Sequence, residues 1–140
     1  GMLSPPVLGT VLRRFGEADA AGISRPGLVL ATRPRALVTA PWPASVRYAG
    51  PLLDYGNVII VEPEADYLLV MAGVGAVFVE AGQLVPGDTP LGLMPGAEGG
   101  ADDLILRAEE AGGAVLSQSL YVELREGGQP VDPADWFELE

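Results

Sequence analysis

The stretch LSQSLYVELREGGQPVDPADWF, from Leu116 to Phe137, contains a run of apolar and β-branched residues that ends at a Gly-Gly pair. Runs of this kind, bounded by glycine, are typical of strands, and paired glycines are typical of tight turns. The stretch therefore predicts a β-hairpin near the end of the chain. Trp136, close behind it, is expected to cover the core.

Short apolar runs of the same type recur along the whole chain, separated by many of its 19 glycines and 13 prolines. No segment shows a long period of 3.6 residues, and the prolines would interrupt helices. The sequence predicts an all-β fold, a β-sandwich or open barrel. Its core is expected to contain Val38, Val46, Ile59, Leu69, Phe78 and Val122.

Two segments, residues 33–50 and 78–96, each combine an apolar strand, a proline turn and a second strand that ends at glycine. This similarity indicates a duplicated β-unit. Residues 101–118 are ambiguous: they fit either a short helix or, as we prefer, a hairpin that turns near Gly112. We expect one domain over residues 1–140, and Gly1 ahead of Met2 indicates a piece of a longer protein.

The composition excludes several classes of function. The net charge is −11 and the chain has no lysine, so it lacks the basic face that nucleic acids and anionic membranes require. No run is long enough to span a membrane, and no signal peptide is visible. The chain has neither histidine nor cysteine, which removes the commonest general base, the thiolate nucleophile and the best zinc ligands.

Several motifs occur in an order that resembles the lysostaphin-type (LytM) zinc peptidases, which cut peptidoglycan cross-bridges. GTVLRRFG (9–16) resembles the opening strand of that family, and RPGLVLA (25–31) matches its first metal-binding stretch in frame. PRALVTAPWPASVRYAG (34–50), the Tyr55–Asn57 turn, the block from Val79 to Gly92 and SLYVELR (119–125) follow in the family order. The resemblance implies the duplicated β-fold of these peptidases. The ending is most similar to murein hydrolase activators of the EnvC type.

The resemblance also shows where this sequence departs from the family. The three positions that hold zinc in the family correspond to Arg25, Val29 and Tyr121. The two catalytic histidines correspond to Ser119 and, approximately, to Gly73. Because these residues are not zinc ligands, the resemblance implies a domain with no metal, no cofactor and no peptidase activity.

The remnant of the family's cleft is then expected to bind a partner. Arginine and tyrosine are frequent at the energetic centres of interfaces, so Arg25 and Tyr121 are the first candidates. Ser119, Tyr67 and Trp42 complete the predicted binding residues, with Trp42 in an exposed turn. Each also has a structural interpretation, since Arg25 and Tyr121 could simply fill the vacated metal site.

The leading hypothesis is a catalytically inactive regulator that activates a peptidoglycan amidase during cell-wall remodelling or division. The resemblance implies a periplasmic or cell-envelope location, with the amidase or another envelope protein as partner. One alternative is a non-catalytic module that binds peptidoglycan itself. Another is a peptidoglycan hydrolase that uses chemistry foreign to the family, for example a pair of carboxylates.

Overall fold

The computed structural model describes residues 3–18, 21–64, 66–96 and 118–139, which form eleven strands and one short 3-10 helix. The strands are β1 Thr10–Arg13, β2 Leu28–Thr32, β3 Leu37–Thr39, β4 Ala44–Leu52, β5 Gly56–Glu62, β6 Tyr67–Val74, β7 Ala76–Val77, β8 Leu84–Val85, β9 Pro90–Leu93, β10 Gln118–Glu126 and β11 Gln129–Val131. The 3-10 helix covers Pro133–Asp135. The predicted all-β class is confirmed.

The strands form two antiparallel sheets. The larger sheet has the order β1-β2-β10-β6-β5-β4-β8, with β11 paired to β10, and the smaller sheet has the order β3-β9-β7. β10 and β11 are the hairpin predicted from the Gly-Gly pair, and Gly127 and Gly128 both adopt positive φ in its turn. Of the ambiguous segment 101–118, only Gln118 belongs to the described residues.

β10 lies between β2 and β6 near the middle of the larger sheet. Leu120, Val122 and Leu124 are at most 1% exposed, whereas Tyr121 and Glu123 between them are half-buried. Successive side chains of a strand point to opposite faces, so β10 contributes its leucines and valine to the core. The opposite face of the same strand carries the polar residues.

The hydrophobic core joins buried side chains of both sheets to the C-terminal segment. Five of the six predicted core residues are at most 1% exposed: Val38, Val46, Ile59, Leu69 and Val122. Phe78 is the exception, because 52% of its surface is exposed. Its neighbours Val77 and Val79 both pack inward, so the extended backbone between them directs Phe78 towards solvent.

The two ends of the described chain close one side of the core. Phe137 is 2% exposed and packs edge-on against Trp42, with ring centroids 5.5 Å apart. Leu3 forms a parallel bridge with Phe137. Trp136 also packs against the core, as expected. Trp42 lies in a turn but is half-buried by this packing, so its predicted exposure is wrong.

The difference between Phe137 and Phe78 predicts very different costs for the same substitution. Phe137→Ala should lower the free energy of unfolding by about 3–5 kcal/mol, because it leaves a cavity under Trp42. Phe78→Ala, at a largely exposed site, should change it by less than about 1 kcal/mol. Urea denaturation of both variants and the wild type measures these values. Equal costs for the two variants would contradict the assignment of Phe137 to the core.

Candidate functional site

The face of the larger sheet that points away from the core carries a groove of about 810 Å³, here called the central groove. Its floor consists of two rows of side chains that cross neighbouring strands. The first row joins register partners on β2, β10, β6 and β5: Val29, Tyr121, Ala72 and Val58. The second row contains Glu123, Val70 and Ile60. Adjacent strands lie about 4.8 Å apart, so a floor of four strands is about 14 Å wide.

The two sides of the central groove differ in chemistry. Arg13 of β1 and Arg25, just before β2, line one side. Leu52, Asp54 and Tyr55, at the turn between β4 and β5, line the other. The groove therefore has a cationic side, a floor that is apolar except for Tyr121 and Glu123, and a mixed opposite side.

A bulge in β1 determines which residue reaches the cationic side. Val11 pairs with Leu30, but Arg13 rather than Leu12 pairs with Val29, so the register shifts by one residue. An extra residue of this kind changes the direction of the side chains that follow it. Arg13 consequently shares the face of Val29, and Leu12 remains 61% exposed.

Tyr121 occupies the end of the groove beside Arg25. Its ring lies directly against the backbone of Gly27, where a Cβ atom would be only 2.6 Å from the Tyr121 Cζ. A residue with a side chain at position 27 would displace the ring. The absence of a side chain at Gly27 therefore leaves the space that the phenol of Tyr121 occupies.

Tyr121, Glu123 and Arg125 form a chain of hydrogen bonds along one face of β10. The Tyr121 hydroxyl donates to Glu123 Oε1 at 2.7 Å, and Arg125 donates to Glu123 Oε2 at 2.6 Å. Arg125 also donates to the Gly128 carbonyl at 2.6 Å, which connects the chain to the β10–β11 turn. Residues two apart on a strand share a face, so this arrangement follows directly from the sequence spacing.

These contacts raise the pKa of Tyr121, which is neutral at physiological pH in any case. Burial raises the pKa of Tyr121 above its ordinary value of 10.0, and the hydrogen bond to Glu123 and the charge of Glu123 raise it further. The positive charge of Arg25 acts in the opposite direction but is the weaker influence. The Tyr121 hydroxyl consequently stays protonated and donates its hydrogen bond to Glu123.

The structure brings Arg25, Val29 and Tyr121 together in the central groove. Zinc sites need lone pairs from nitrogen, sulfur or oxygen. The guanidinium of Arg25 stays protonated and has no acceptor, Val29 has no donor atom, and the protonated hydroxyl of Tyr121 is bonded to Glu123. These residues do not fit a zinc ion. Within the described part of the chain, no three Asp, Glu, His or Cys side chains group closely enough to hold a metal.

Gly73 and Ser119, at the expected catalytic positions, lie beside each other. A Cβ atom at Gly73 would be 2.9 Å from the Ser119 carbonyl oxygen, and Gly73 has a φ of 105°. Both facts disfavour any side chain at position 73. Ser119 is exposed on the same face of β10 as Tyr121, two residues earlier in the strand.

Three of the predicted binding residues do not line the central groove: Ser119, Tyr67 and Trp42. Tyr67 shares its face of β6 with the core residues Leu69 and Met71, and its ring packs edge-on against Trp136 at 5.3 Å. Trp42 packs against Phe137. Strand parity, counted from Leu69, could have placed Tyr67 away from the groove.

Sequence reasoning missed three polar residues of the groove. Glu123 was detectable, because it follows Tyr121 at the spacing that places two side chains on one face of a strand. Arg13 was not, since its direction depends on the bulge in β1. Asp54 adopts a φ of 70° in the β4–β5 turn, and no motif of the sequence indicates that this turn borders the groove.

Among the described residues there is no helix with the length and hydrophobicity needed to cross a membrane. The chain is 27% identical, over 98% of its length, to an uncharacterized protein of Neisseria meningitidis. It is 29% identical, over 95% of its length, to an uncharacterized protein of Haemophilus influenzae. It spans only 20% and 29% of these two relatives.

Solved structures share the fold at lower sequence identity. Helicobacter pylori Csd3 superposes with a TM-score of 0.72 and 17% identity, over 99% of this chain and 35% of that one. A chain of the SpoIIIAH and SpoIIQ complex gives a TM-score of 0.71 and 21% identity, over 96% of this chain and 99% of that one. Lysostaphin superposes with a TM-score of 0.67 and 14% identity, over 90% of this chain and 49% of that one.

The profile of one sequence family covers most of the chain. Peptidase family M23 matches residues 24–133, from just before Arg25 to the start of the 3-10 helix. The match includes the strands that form the floor of the central groove. The predicted resemblance to lysostaphin-type peptidases is therefore confirmed, and the chain belongs to Peptidase family M23.

Proposed function

We propose that this domain is a non-catalytic regulator that binds a protein of the bacterial cell envelope through the central groove. The observation that carries the proposal is the hydrogen bond that the Tyr121 hydroxyl donates to Glu123, at a position that the resemblance aligns with a family zinc ligand. With Arg25 and Val29 beside it, the groove cannot hold the metal on which the family's chemistry depends. Its shape, polar side and apolar floor remain suited to binding.

A peptidoglycan amidase is the partner we propose, in keeping with the resemblance to activators of the EnvC type. A structural neighbour supports the general mode of action, because it was solved as the SpoIIQ–SpoIIIAH pore-forming complex. A domain of this fold thus occurs in an assembly of two proteins. A periplasmic or envelope location is part of the same proposal.

The main alternative is that the domain binds peptidoglycan. The surroundings of Trp42 argue against one mode of such binding, in which a sugar ring stacks on this tryptophan. Stacking on a sugar requires an open aromatic face. Trp42 is half-buried and contacts Phe137. A glycan platform at this position would need the turn to open and expose the core.

The groove hypothesis predicts a specific loss of activation. Arg25→Ala and Tyr121→Ala should each raise the concentration of domain that half-maximally stimulates the cognate amidase by about thirty-fold, as expected for a binding hot spot of about 2 kcal/mol. The measurement is dye release from labelled peptidoglycan by the amidase, with the domain titrated. The melting transition of each variant shows whether it is folded.

Arg47→Ala is the matched control, because Arg47 is exposed, pairs with Glu62 and does not line the groove. It should activate as well as the wild type. If both groove variants also activate normally while the domain sediments with purified sacculi in the absence of amidase, the peptidoglycan-binding rival is correct.

Restoring the family ligands should restore metal binding without restoring activity. The quadruple variant Arg25→His, Val29→Asp, Ser119→His and Tyr121→His supplies three zinc ligands and one catalytic histidine. The second histidine would still be missing at Gly73, where positive φ and the Ser119 carbonyl oppose a side chain. We expect stoichiometric zinc by elemental analysis and no cleavage of cross-linked peptidoglycan. The wild type, purified in parallel, should contain no zinc, and rapid cleavage by the variant would show that the site has decayed less than proposed.

The hydrogen bond from Tyr121 to Glu123 predicts how the phenol titrates. Because the pKa of Tyr121 is raised in the folded state, its contribution to stability is complete below the unfolded value of about 10 and is lost as pH rises above it. The ultraviolet titration of the wild type minus that of Tyr121→Phe should therefore show one tyrosine that ionises above pH 10.0. Glu123→Gln should lower its midpoint. A difference curve centred at or below pH 10.0 would contradict the hydrogen-bonded arrangement.

A further inference from the structure

The cationic side of the central groove has a charge opposite to that of the protein as a whole. The chain carries a net charge of −11, yet Arg13 and Arg25 line the same side of one groove. Neither guanidinium pairs with a carboxylate belonging to the described residues, in which the ion pairs are Arg47–Glu62 and Arg125–Glu123. Two arginines of an acidic protein are thus held beside a groove without a described counter-charge.

The acidic residue of the groove floor does not satisfy them. Glu123 accepts hydrogen bonds from both Tyr121 and Arg125, and only 14% of its side chain is exposed. Its charge is balanced by Arg125. Asp54, in the turn between β4 and β5, also lines the groove but forms no ion pair with either arginine among the described residues. A ligand carboxylate could therefore approach Arg13 and Arg25 without displacing an existing ion pair of the described chain.

Long-range repulsion from the net charge does not remove this preference. At physiological ionic strength the Debye length is roughly 8 Å, so charges on distant surfaces are largely screened. Arg13 is half-buried and Arg25 is exposed, and a carboxylate in direct contact with either lies well inside the Debye length. The sign of the charge that binds in the groove is consequently set by its own residues, and not by the charge of the whole protein.

The floor adds a second requirement. The floor is about four strands, or about 14 Å, wide, and its apolar surface comes mainly from the half-buried Val29, Ile60 and Val70, since Val58 and Ala72 are at most 8% exposed. A ligand that carried only carboxylates would leave this surface in water. A polypeptide with apolar residues on one face and acidic residues along one edge would satisfy both the floor and the arginines.

We infer that the segment recognised by the central groove is an acidic amphipathic stretch of a protein partner, with its carboxylates on Arg13 and Arg25 and its apolar side chains on the floor. This inference rests on the proposed function and specifies the chemistry of the partner. It also assigns Arg13 a binding role, which the bulge in β1 makes possible. This segment is expected to be recognised despite carrying the same sign of charge as the domain.

A random peptide library displayed on phage tests the inference without knowledge of the partner. Selection against the intact wild-type domain should enrich peptides that combine apolar residues with Asp and Glu. The same library selected against Arg13→Gln/Arg25→Gln should show no acidic enrichment, whereas selection against the control Arg47→Gln should match the wild type. No enrichment on the wild type, or enrichment of neutral or basic peptides, overturns the inference.

A selected acidic peptide, labelled with fluorescein, then measures how much affinity the two arginines contribute. Its affinity by fluorescence anisotropy should fall at least about tenfold in the double variant, as expected for the loss of close charge pairs. An unchanged affinity would overturn the inference, as would displacement of the peptide by muropeptides at similar concentration, which would assign the groove to peptidoglycan.

The outcomes separate this inference from the proposed function. If the acidic peptide binds in the groove but does not inhibit amidase stimulation, the inferred preference for an acidic segment is supported and the amidase is not the partner bound there. If stimulation depends on Tyr121 but the selected peptides show no acidic bias, the function stands and the charge preference falls.

Discussion

Most of the structure depends on the alternation of side chains along β10, the strand enclosed by β2 and β6. Leu120, Val122 and Leu124 enter the core from one face, and Tyr121, Glu123 and Arg125 line up on the other. A shift of one residue would exchange the two faces, placing a carboxylate and a guanidinium in the core. Burial of three large apolar residues therefore fixes the register, and the register fixes where Tyr121 lies. The packing of the core thus determines where the side chains of the groove lie.

The fold was predictable because period-2 patterns and glycine turns are local features of the sequence. Val38, Ile59 and Leu69 could be assigned to the core from their strands alone, since their burial depends on facing one side of a sheet. Phe78 could not, because β7 is only two residues long and gives too short a pattern to show its direction. Parity read over two residues is not informative.

The site was predictable only in part, for a physical reason. Arg25, Val29 and Tyr121 meet because β2 pairs with β10, and family spacing indicated that pairing. Tyr67 and Trp42 do not meet them, because their rings pack against Trp136 and Phe137. Residue type indicates what a side chain can do, but sheet order and bulges decide which side chains meet. Arg13 shows this most clearly, because the bulge in β1 directs it into the groove.

The bridge between Leu3 and Phe137 has a mechanical consequence. Leu3 donates to the Trp136 carbonyl at 3.0 Å, and Glu138 donates to the Leu3 carbonyl at 2.7 Å. The two segments are parallel, so tension applied to both ends of the domain would pull them in opposite directions along their length. Both hydrogen bonds would then be loaded together in shear, and neither could open before the other. Pulling force would then pass between the two terminal segments through these two hydrogen bonds. The larger sheet, which carries the groove, would not lie on this path.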